Sequence, residues 1–533
     1  VGFELAGADK NFVPATAEIK DEKLGFVGKI TEINIEPVTD LIEKGGKEDI
    51  ALTFGVEDLM SYDDKGHTGY RSCYIAETGE YKVYVGTNVR DAVEVGSFNL
   101  DTLHVVGADE SCPVRIEHQF DVLYPELKDG KYQKAYRPVA VETRCLKDRI
   151  IDRLPQEIEQ KVDFNMDFCD VKDGVLSIDR FIASLSDEEL ELLSHGDYKM
   201  NSPLGTQGNA GAFGGISEGL RARHIPPVIT TDGPSGIRLL VRASLLPCGT
   251  ALASTWNKNL VQELYAEVSK EMVDRGSDVL LAPGMNIQKE VFGGRNFEYF
   301  SEDPYLTGMM ASAYTLGIQS KGVGVSLKHF AANNQETARG SVSSKVTERA
   351  LREMYLKAFG YAVENSDPYT VMTSYNKING KYTSTCKDLL SILRNEFGFD
   401  GCVLSDWEAG GSRDGMINAG NDMYCGSKDV KADVKEIIAL VRSRNIKTEN
   451  LNSCCKNVLE LIVKTGADFS EERFPGQPRK RSEKITAVRE AGAEGMVLLK
   501  NDKKTLPINN TSVAVFGNAS YVTEHGGYGA GSV

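Results

Sequence analysis

Cys402-Val403-Leu404-Ser405-Asp406-Trp407 is a short apolar run that ends abruptly in a hydroxyl, a carboxylate and an indole. Four more runs share that form. They are Val228-Ile229-Thr230-Thr231 before Asp232, Val279-Leu280-Leu281 before Asn286, Val323-Gly324-Val325-Ser326-Leu327 before Lys328-His329, and Tyr369-Thr370-Val371-Met372 before Ser374-Tyr375-Asn376. They recur about every 30 to 50 residues with helix-like segments between them, the spacing of βα units. In a parallel barrel every strand's C-terminal end opens on one face, so these five endings predict one shared site there.

Outward from these runs the texture changes. Ser186-Asp187-Glu188-Glu189 ahead of Leu190, Leu192 and Leu193 reads as a capping box that opens a helix, because the serine and the glutamate each satisfy an orphan amide. An apolar-periodic segment from about 430 to 465 should close the barrel. Residues 1–106 alternate with a period of two, as in Asp49-Ile50-Ala51-Leu52-Thr53-Phe54 and Glu80-Tyr81-Lys82-Val83-Tyr84-Val85, which predicts a small β-sandwich. Residues 107–165 are charged and unpatterned and read as a connector. Pro475-Gly476-Gln477-Pro478 marks a linker over 471–484, followed by an expected helix from Ala487 to Lys500 and an expected buried strand at Ser512-Val513-Ala514-Val515-Phe516-Gly517. The expected fold class is therefore α/β: a (β/α)8-type TIM barrel over 166–470, between an N-terminal β-sandwich and the opening of a further α/β domain over 485–533.

Composition narrows the function. With 533 residues, a formal charge of −16 and a pI of about 5.1, the chain offers no extended basic surface for nucleic acid or anionic lipid. No run of about 18 apolar residues is present, so no membrane span is expected. The opening Val1-Gly2-Phe3 has no leader pattern, and the cytoplasm is the expected compartment. Ten cysteines without a CxxC pair or zinc spacing read as buried free thiols, and no metal is expected.

Asp406 alone is one of 77 acidic residues, and strand-end aspartates commonly cap the next helix. Its place beside Trp407 changes that reading, since carbohydrate sites pair carboxylates with rings on which a sugar face stacks. Six segments then carry a resemblance: Thr231-Asp232-Gly233-Pro234-Ser235-Gly236-Ile237-Arg238, Leu281-Ala282-Pro283-Gly284-Met285-Asn286-Ile287, Gly294-Arg295-Asn296-Phe297-Glu298-Tyr299-Phe300-Ser301-Glu302-Asp303-Pro304, Lys328-His329-Phe330-Ala331-Ala332-Asn333-Asn334-Gln335-Glu336, Met372-Thr373-Ser374-Tyr375-Asn376 and Ser405-Asp406-Trp407. In order and spacing they resemble glycoside hydrolase family 3, in its β-glucosidase branch. The flanks extend it: Glu494-Gly495-Met496-Val497-Leu498-Leu499-Lys500-Asn501 resembles the start of the family's α/β-sandwich domain. Residues 50–100 resemble its fibronectin-III-like domain, whose place at the N-terminus implies a rearranged domain order.

By this resemblance the chain is a retaining exo-acting β-D-glucosidase without cofactor, and Asp406 is the nucleophile that forms a glycosyl-enzyme. Asp232 would take hydrogen bonds from hydroxyls on the far side of the terminal sugar. Arg295, Lys328, His329 and Arg339 would hold the other hydroxyls, Tyr375 would sit by the nucleophile, and Trp407 would pack against the sugar. Cations beside Asp406 are expected to keep it ionised. Structural readings stand beside these: Asp232 as a turn residue, Lys328-His329 as a buried polar pair, and Arg295 bridging Glu298 or Glu302, which together with Asp303 read as structural.

Lys328-His329-Phe330 continues Ala331-Ala332-Asn333, which departs from the Lys-His-Phe-Pro-Gly-His-Gly pattern of the N-acetylglucosaminidase branch. The other branch takes its acid/base glutamate from the α/β-sandwich, well beyond the opening segment. The expected partners are therefore a β-glucoside or oligosaccharide and the remainder of that domain, as further chain or a second polypeptide, with a homo-oligomer left open. The alternatives are β-xylosidase or α-L-arabinofuranosidase activity, or a non-catalytic carbohydrate-binding fragment.

Overall fold

The computed structural model describes residues 2–6, 17–21, 26–30, 47–51, 55–85, 92–108, 114–142, 158–162, 165–197, 200–426, 429–469, 481–509, 512–522 and 530. At its centre one sheet holds six strands in spatial order: β1 (Ala212–Gly214), β2 (Pro227–Asp232), β3 (Val279–Leu281), β4 (Gly324–Phe330), β5 (Thr370–Thr373) and β6 (Cys402–Leu404). β1 lies antiparallel to β2, and β2 to β6 run parallel. β3 to β6 are buried throughout, which is why the sequence shows them as continuous apolar runs and not as alternating ones.

The two edges of this sheet are joined by isolated bridges. Leu404 of β6 pairs with Met423, Tyr424 pairs with His195, and Asp197 N–H donates to Ala212 O at 2.6 Å. The sheet thus curls towards a ring and fits a TIM-barrel-like domain. The regular eightfold repeat of the sequence reading is not reached: two staves are single bridges built from polar Ser194-His195-Gly196 and Asp422-Met423-Tyr424, and β1 is reversed. Helices Lys258–Asp274, Pro304–Gln319 and Lys357–Ser366 pack along one side, with the Tyr265 and Tyr314 rings 3.6 Å apart. Thr448–Lys464 covers another with buried Leu451, Val458, Leu461 and Ile462. The capping box at Ser186 is present, with Glu189 Oε2 accepting from Ser186 N at 2.8 Å.

The described strands of the N-terminal region pair antiparallel in two- and three-stranded sheets, in keeping with the β reading. Their hold on the barrel is specific. Tyr62 is fully buried, donates its hydroxyl to Glu348 Oε1 at 2.6 Å and lies under Arg352, whose guanidinium is 4.7 Å from the ring and also pairs with Glu396 at 2.6 Å. Inside the expected connector, Phe120–Lys128 and Lys131–Val139 form a hairpin about Asp129-Gly130. That dipeptide is a turn signal that the sequence reading passed over.

The C-terminal expectations need correction. The helix spans Arg481–Glu494, earlier than expected, and ends before Gly495. Residues 512–517 form no strand, and Val513, Val515 and Phe516 are 60%, 70% and 89% exposed. A buried strand exists only where neighbours pair its backbone, and no described strand lies beside this one. The linker residues 471–480 lie outside the described residues. Eight described cysteines are free and five of them are buried. Among the described residues no helix is long and apolar enough to cross a membrane.

Candidate active site at the strand ends

β2 ends in Asp232, whose Oδ1 accepts from Lys328 Nζ at 2.9 Å and whose Oδ2 lies 3.6 Å from Arg238 Nη1. The Asp-Gly-Pro-Ser-Gly sequence makes this possible. Gly233 has φ +125°, and a Cβ there would stand 2.0 Å from Gly236 O, so only glycine lets the chain fold back to bring Arg238 N within 2.9 Å of Asp232 O. Asp232 is thus both a turn residue and a member of the site.

Strand alternation would send Lys328 and His329 to opposite faces. The β4–β5 register shifts between Lys328 and Phe330, and both side chains reach the site. His329 Nε2 lies 3.4 Å from Asp406 Oδ2. Its Nδ1 is 3.2 Å from both Tyr299 Oη and Asn286 Oδ1, and Asn286 clamps its backbone by accepting from His329 N–H at 2.9 Å and donating to His329 O at 2.8 Å.

Asp406 follows β6 through Ser405, whose N–H bonds Met423 O and whose hydroxyl accepts from Cys425 N, both at 2.9 Å. Trp407 N–H donates to Asp406 Oδ1 at 2.7 Å, while Oδ2 is buried with no hydrogen bond of good geometry. Tyr375 approaches the same carboxylate, and the Arg339 guanidinium lies 4.4 Å over the Tyr375 ring while pairing with Glu336 at 2.8 Å. Arg295 pairs with buried Glu298, as its structural reading anticipated, yet its charge also reaches Asp232 and Asp406. Trp407 is half-buried against the core, with its Nε1 buried and unpaired. Asp232, Arg295, Lys328, His329, Arg339, Tyr375 and Asp406 therefore form one connected group, which Trp407 joins through its backbone N–H.

Burial pushes the Asp406 carboxyl above its ordinary range, against the pull of Arg295 and Lys328. The expected cations are beside it and favour its ionised form, but desolvation outweighs their pull on the carboxyl. Asp232 is equally deep, but there Lys328, Arg295 and Arg238 outweigh burial and hold its carboxyl below the ordinary value. For His329 burial and the charges of Arg295, Lys328 and Arg339 act together and push it well below its ordinary value, so it is neutral.

A pH dependence follows from that. A histidine depressed in the fold takes up its proton on unfolding, so stability is complete above about pH 6.5 and falls as the pH drops below it, by up to about 1.4 kcal/mol per pH unit. Asp406 acts with opposite sign: raised in the fold, it adds stability as the pH falls through its own folded value towards about 3.9. His329→Asn should flatten the fall of the melting temperature between about pH 6.5 and 5. An unchanged slope in thermal unfolding would contradict a neutral, buried His329.

Arg238, Tyr299 and Asn333 were not nominated from sequence, and Asn286 was named there only as the polar ending of its strand. Arg238 and Asn286 sit inside the quoted motifs, where a second charge six residues after Asp232 was an available signal. Tyr299 and Asn333 also sit inside quoted segments, but in loops, where no periodicity tells which way a side chain turns. Away from this site, Asp167, Cys169 and His224 bring one potential metal-ligand atom each within 4.8 Å of one another, but Asp167 is already bonded to His224 Nδ1 at 2.6 Å and to Cys169 N at 2.8 Å.

Residues 217–461 match the family described as glycosyl hydrolase family 3 N terminal domain. A beta-glucosidase of Ruminococcus albus is 37% identical over 480 residues, covering 87% of this chain and 49% of that one. An exo-alpha-(1->6)-L-arabinopyranosidase of Bifidobacterium longum is 38% identical over 311 residues, covering 56% of this chain and 40% of its own. Among solved structures, a beta-glucosidase from Paenibacillus barengoltzii has a TM-score of 0.78 at 36% identity, covering 85% of this chain and 52% of that chain. Beta-glucosidase 3B from Thermotoga neapolitana in complex with alpha-D-glucose has a TM-score of 0.61 at 36% identity, covering 67% and 52%. The chain spans about half the length, or less, of the curated relatives it matches.

Proposed function

This chain belongs to glycoside hydrolase family 3, and from that premise we propose that it is the barrel part of a retaining, exo-acting β-D-glucosidase. The observation that carries the reading is the convergence of two pairs, Asp232 with Lys328 and Asp406 with His329, at the ends of β2, β4 and β6. Asp406 attacks the anomeric carbon as the bond to the leaving oxygen breaks, and water later releases the sugar with overall retention. Asp232 accepts from sugar hydroxyls while Lys328, Arg238 and Arg295 supply charge-assisted donors in a dry pocket. Arg339 and Tyr375 bound the site beside the nucleophile, and Trp407 packs against the sugar.

The acid/base carboxyl is proposed to come from the remainder of the α/β-sandwich domain, of which residues 485–533 are the opening. The exposed Val513, Val515 and Phe516 suit a strand whose neighbours lie elsewhere. Residues 1–106 are proposed as the fibronectin-III-like domain, in a rearranged order. A pentopyranoside as the cleaved sugar is the second reading, favoured by the arabinopyranosidase likeness.

Leaving-group dependence tests this. Residues 1–533 alone should cleave a 2,4-dinitrophenyl β-glucoside, which needs little protonation, and should fail on methyl β-glucoside and cellobiose, which depend on the acid. Efficient cellobiose hydrolysis would place the acid within this chain, beginning with Glu336 and Glu408. Failure on every β-glucoside would overturn the glucosidase reading.

A further inference from the structure

Tyr299 is buried, its hydroxyl takes no part in the mechanism above, and it closes a short chain of polar groups that ends on Asp406. Asn333 Nδ2–H donates to Tyr299 Oη at 3.1 Å, Tyr299 Oη lies 3.2 Å from His329 Nδ1, and His329 Nε2 lies 3.4 Å from Asp406 Oδ2. We propose that Tyr299 is a positioning residue that fixes the tautomer of His329, so that the imidazole turns an Nε2–H and not a lone pair towards Asp406 Oδ2, a close electrostatic approach at 3.4 Å that is not itself a hydrogen bond of good geometry. The proposal rests on the reading of Asp406 as nucleophile.

A neutral imidazole carries one proton, on either nitrogen. With the proton on Nδ1, His329 would donate to Asn286 Oδ1 and turn an Nε2 lone pair on the carboxylate. With the proton on Nε2, the N–H dipole faces the Asp406 carboxylate and Nδ1 needs a donor. Asn286 Oδ1 cannot be one, and it already accepts from His329 N–H at 2.9 Å. Tyr299 can: its oxygen is occupied by Asn333, which leaves the hydroxyl proton for Nδ1. The hydrogen bonds then run one way, from Asn333 through Tyr299 to His329, and leave the Nε2–H dipole pointing at the nucleophile 3.4 Å away. The hydrogen positions are assigned from this network.

The charged and titratable groups facing the chain are Arg295, Lys328, Arg339 and Tyr375 around Asp406 and His329, with Glu298 and Glu336 on the Tyr299 side. Tyr299→Phe keeps all of them and removes only the donor. His329 then shifts towards its other tautomer, Asp406 loses a stabilising N–H, and its carboxyl holds its proton to higher pH.

The test is the pH dependence of covalent trapping by a 2,4-dinitrophenyl 2-deoxy-2-fluoro-β-glucoside, in the full chain. In Tyr299→Phe the acid limb of the trapping rate should move up by about one pH unit. Asn333→Ala should move it the same way by less. Adding Tyr299→Phe to His329→Ala should change the rate less than about twofold, because Tyr299 acts through His329. An unmoved acid limb, or an equal loss with and without His329, overturns the proposal, while a label on a residue other than Asp406 overturns the nucleophile reading and the proposal with it.

Discussion

Asp406→Ala is expected to lower the turnover of an aryl β-glucoside by several orders of magnitude while leaving the fold intact. The chemical loss follows from the role: without the carboxylate there is no covalent intermediate, and the remaining donors can only bind the sugar. The structural tolerance follows from the surroundings. Among the described residues the Asp406 carboxylate accepts one backbone hydrogen bond from Trp407 and lies by His329 and Tyr375, with Arg295 and Lys328 acting on it through charge, so its removal unpairs no structural network. Burial holds its carboxyl above the ordinary range, which means that the ionised group costs the fold stability. The melting temperature of Asp406→Ala should therefore equal or exceed that of the parent. Retention of more than about a tenth of the parent rate would refute the assignment.

Asp232→Ala is the second large effect, about 3 kcal/mol or more in kcat/KM, or at least about a hundredfold. Two losses combine. The sugar hydroxyls that Asp232 would accept are stranded in a desolvated pocket, and Lys328, whose side chain is only 4% exposed, is left with an unpaired buried charge. The second loss also lowers stability, so thermal unfolding must be measured beside kinetics to separate them. Glucosides should suffer more than xylosides if Asp232 reaches the hydroxymethyl oxygen. Equal losses would place it against a ring hydroxyl that both sugars share.

The site was more legible than its architecture. Asp232, Lys328, His329 and Asp406 could be found because each follows a buried apolar run, and parallel strands send their C-terminal ends to one face. The closing staves could not. Ser194-His195-Gly196 and Asp422-Met423-Tyr424 have neither the length nor the β-branched residues of a strand, and single bridges leave no periodicity to read. The strand expected at 512–517 failed for a related reason, since an apolar pattern states only that neighbours are needed, not that they are present. Within the site the electrostatic balance was the illegible part. Asp232 and Asp406 share Lys328 and Arg295 as neighbours, yet one is held below and the other above the ordinary carboxyl range, because Asp232 has Lys328 in direct contact at 2.9 Å and, among the described residues, no lysine or arginine pairs with Asp406. Contact distance decides that sign, and sequence spacing does not report it. Tyr299 shows the same limit: its use depends on which side of His329 it meets.

Peptide mass spectrometry tests most directly whether an Asp406 carboxylate oxygen forms the ester bond of the glycosyl-enzyme. After reaction of the chain with the 2-deoxy-2-fluoro-β-glucoside, one fluoroglycosyl group should be found on the peptide that carries Ser405-Asp406-Trp407, attached to Asp406 and absent in Asp406→Asn. A label on any other carboxylate, or none while the aryl glucoside is still turned over, would contradict it.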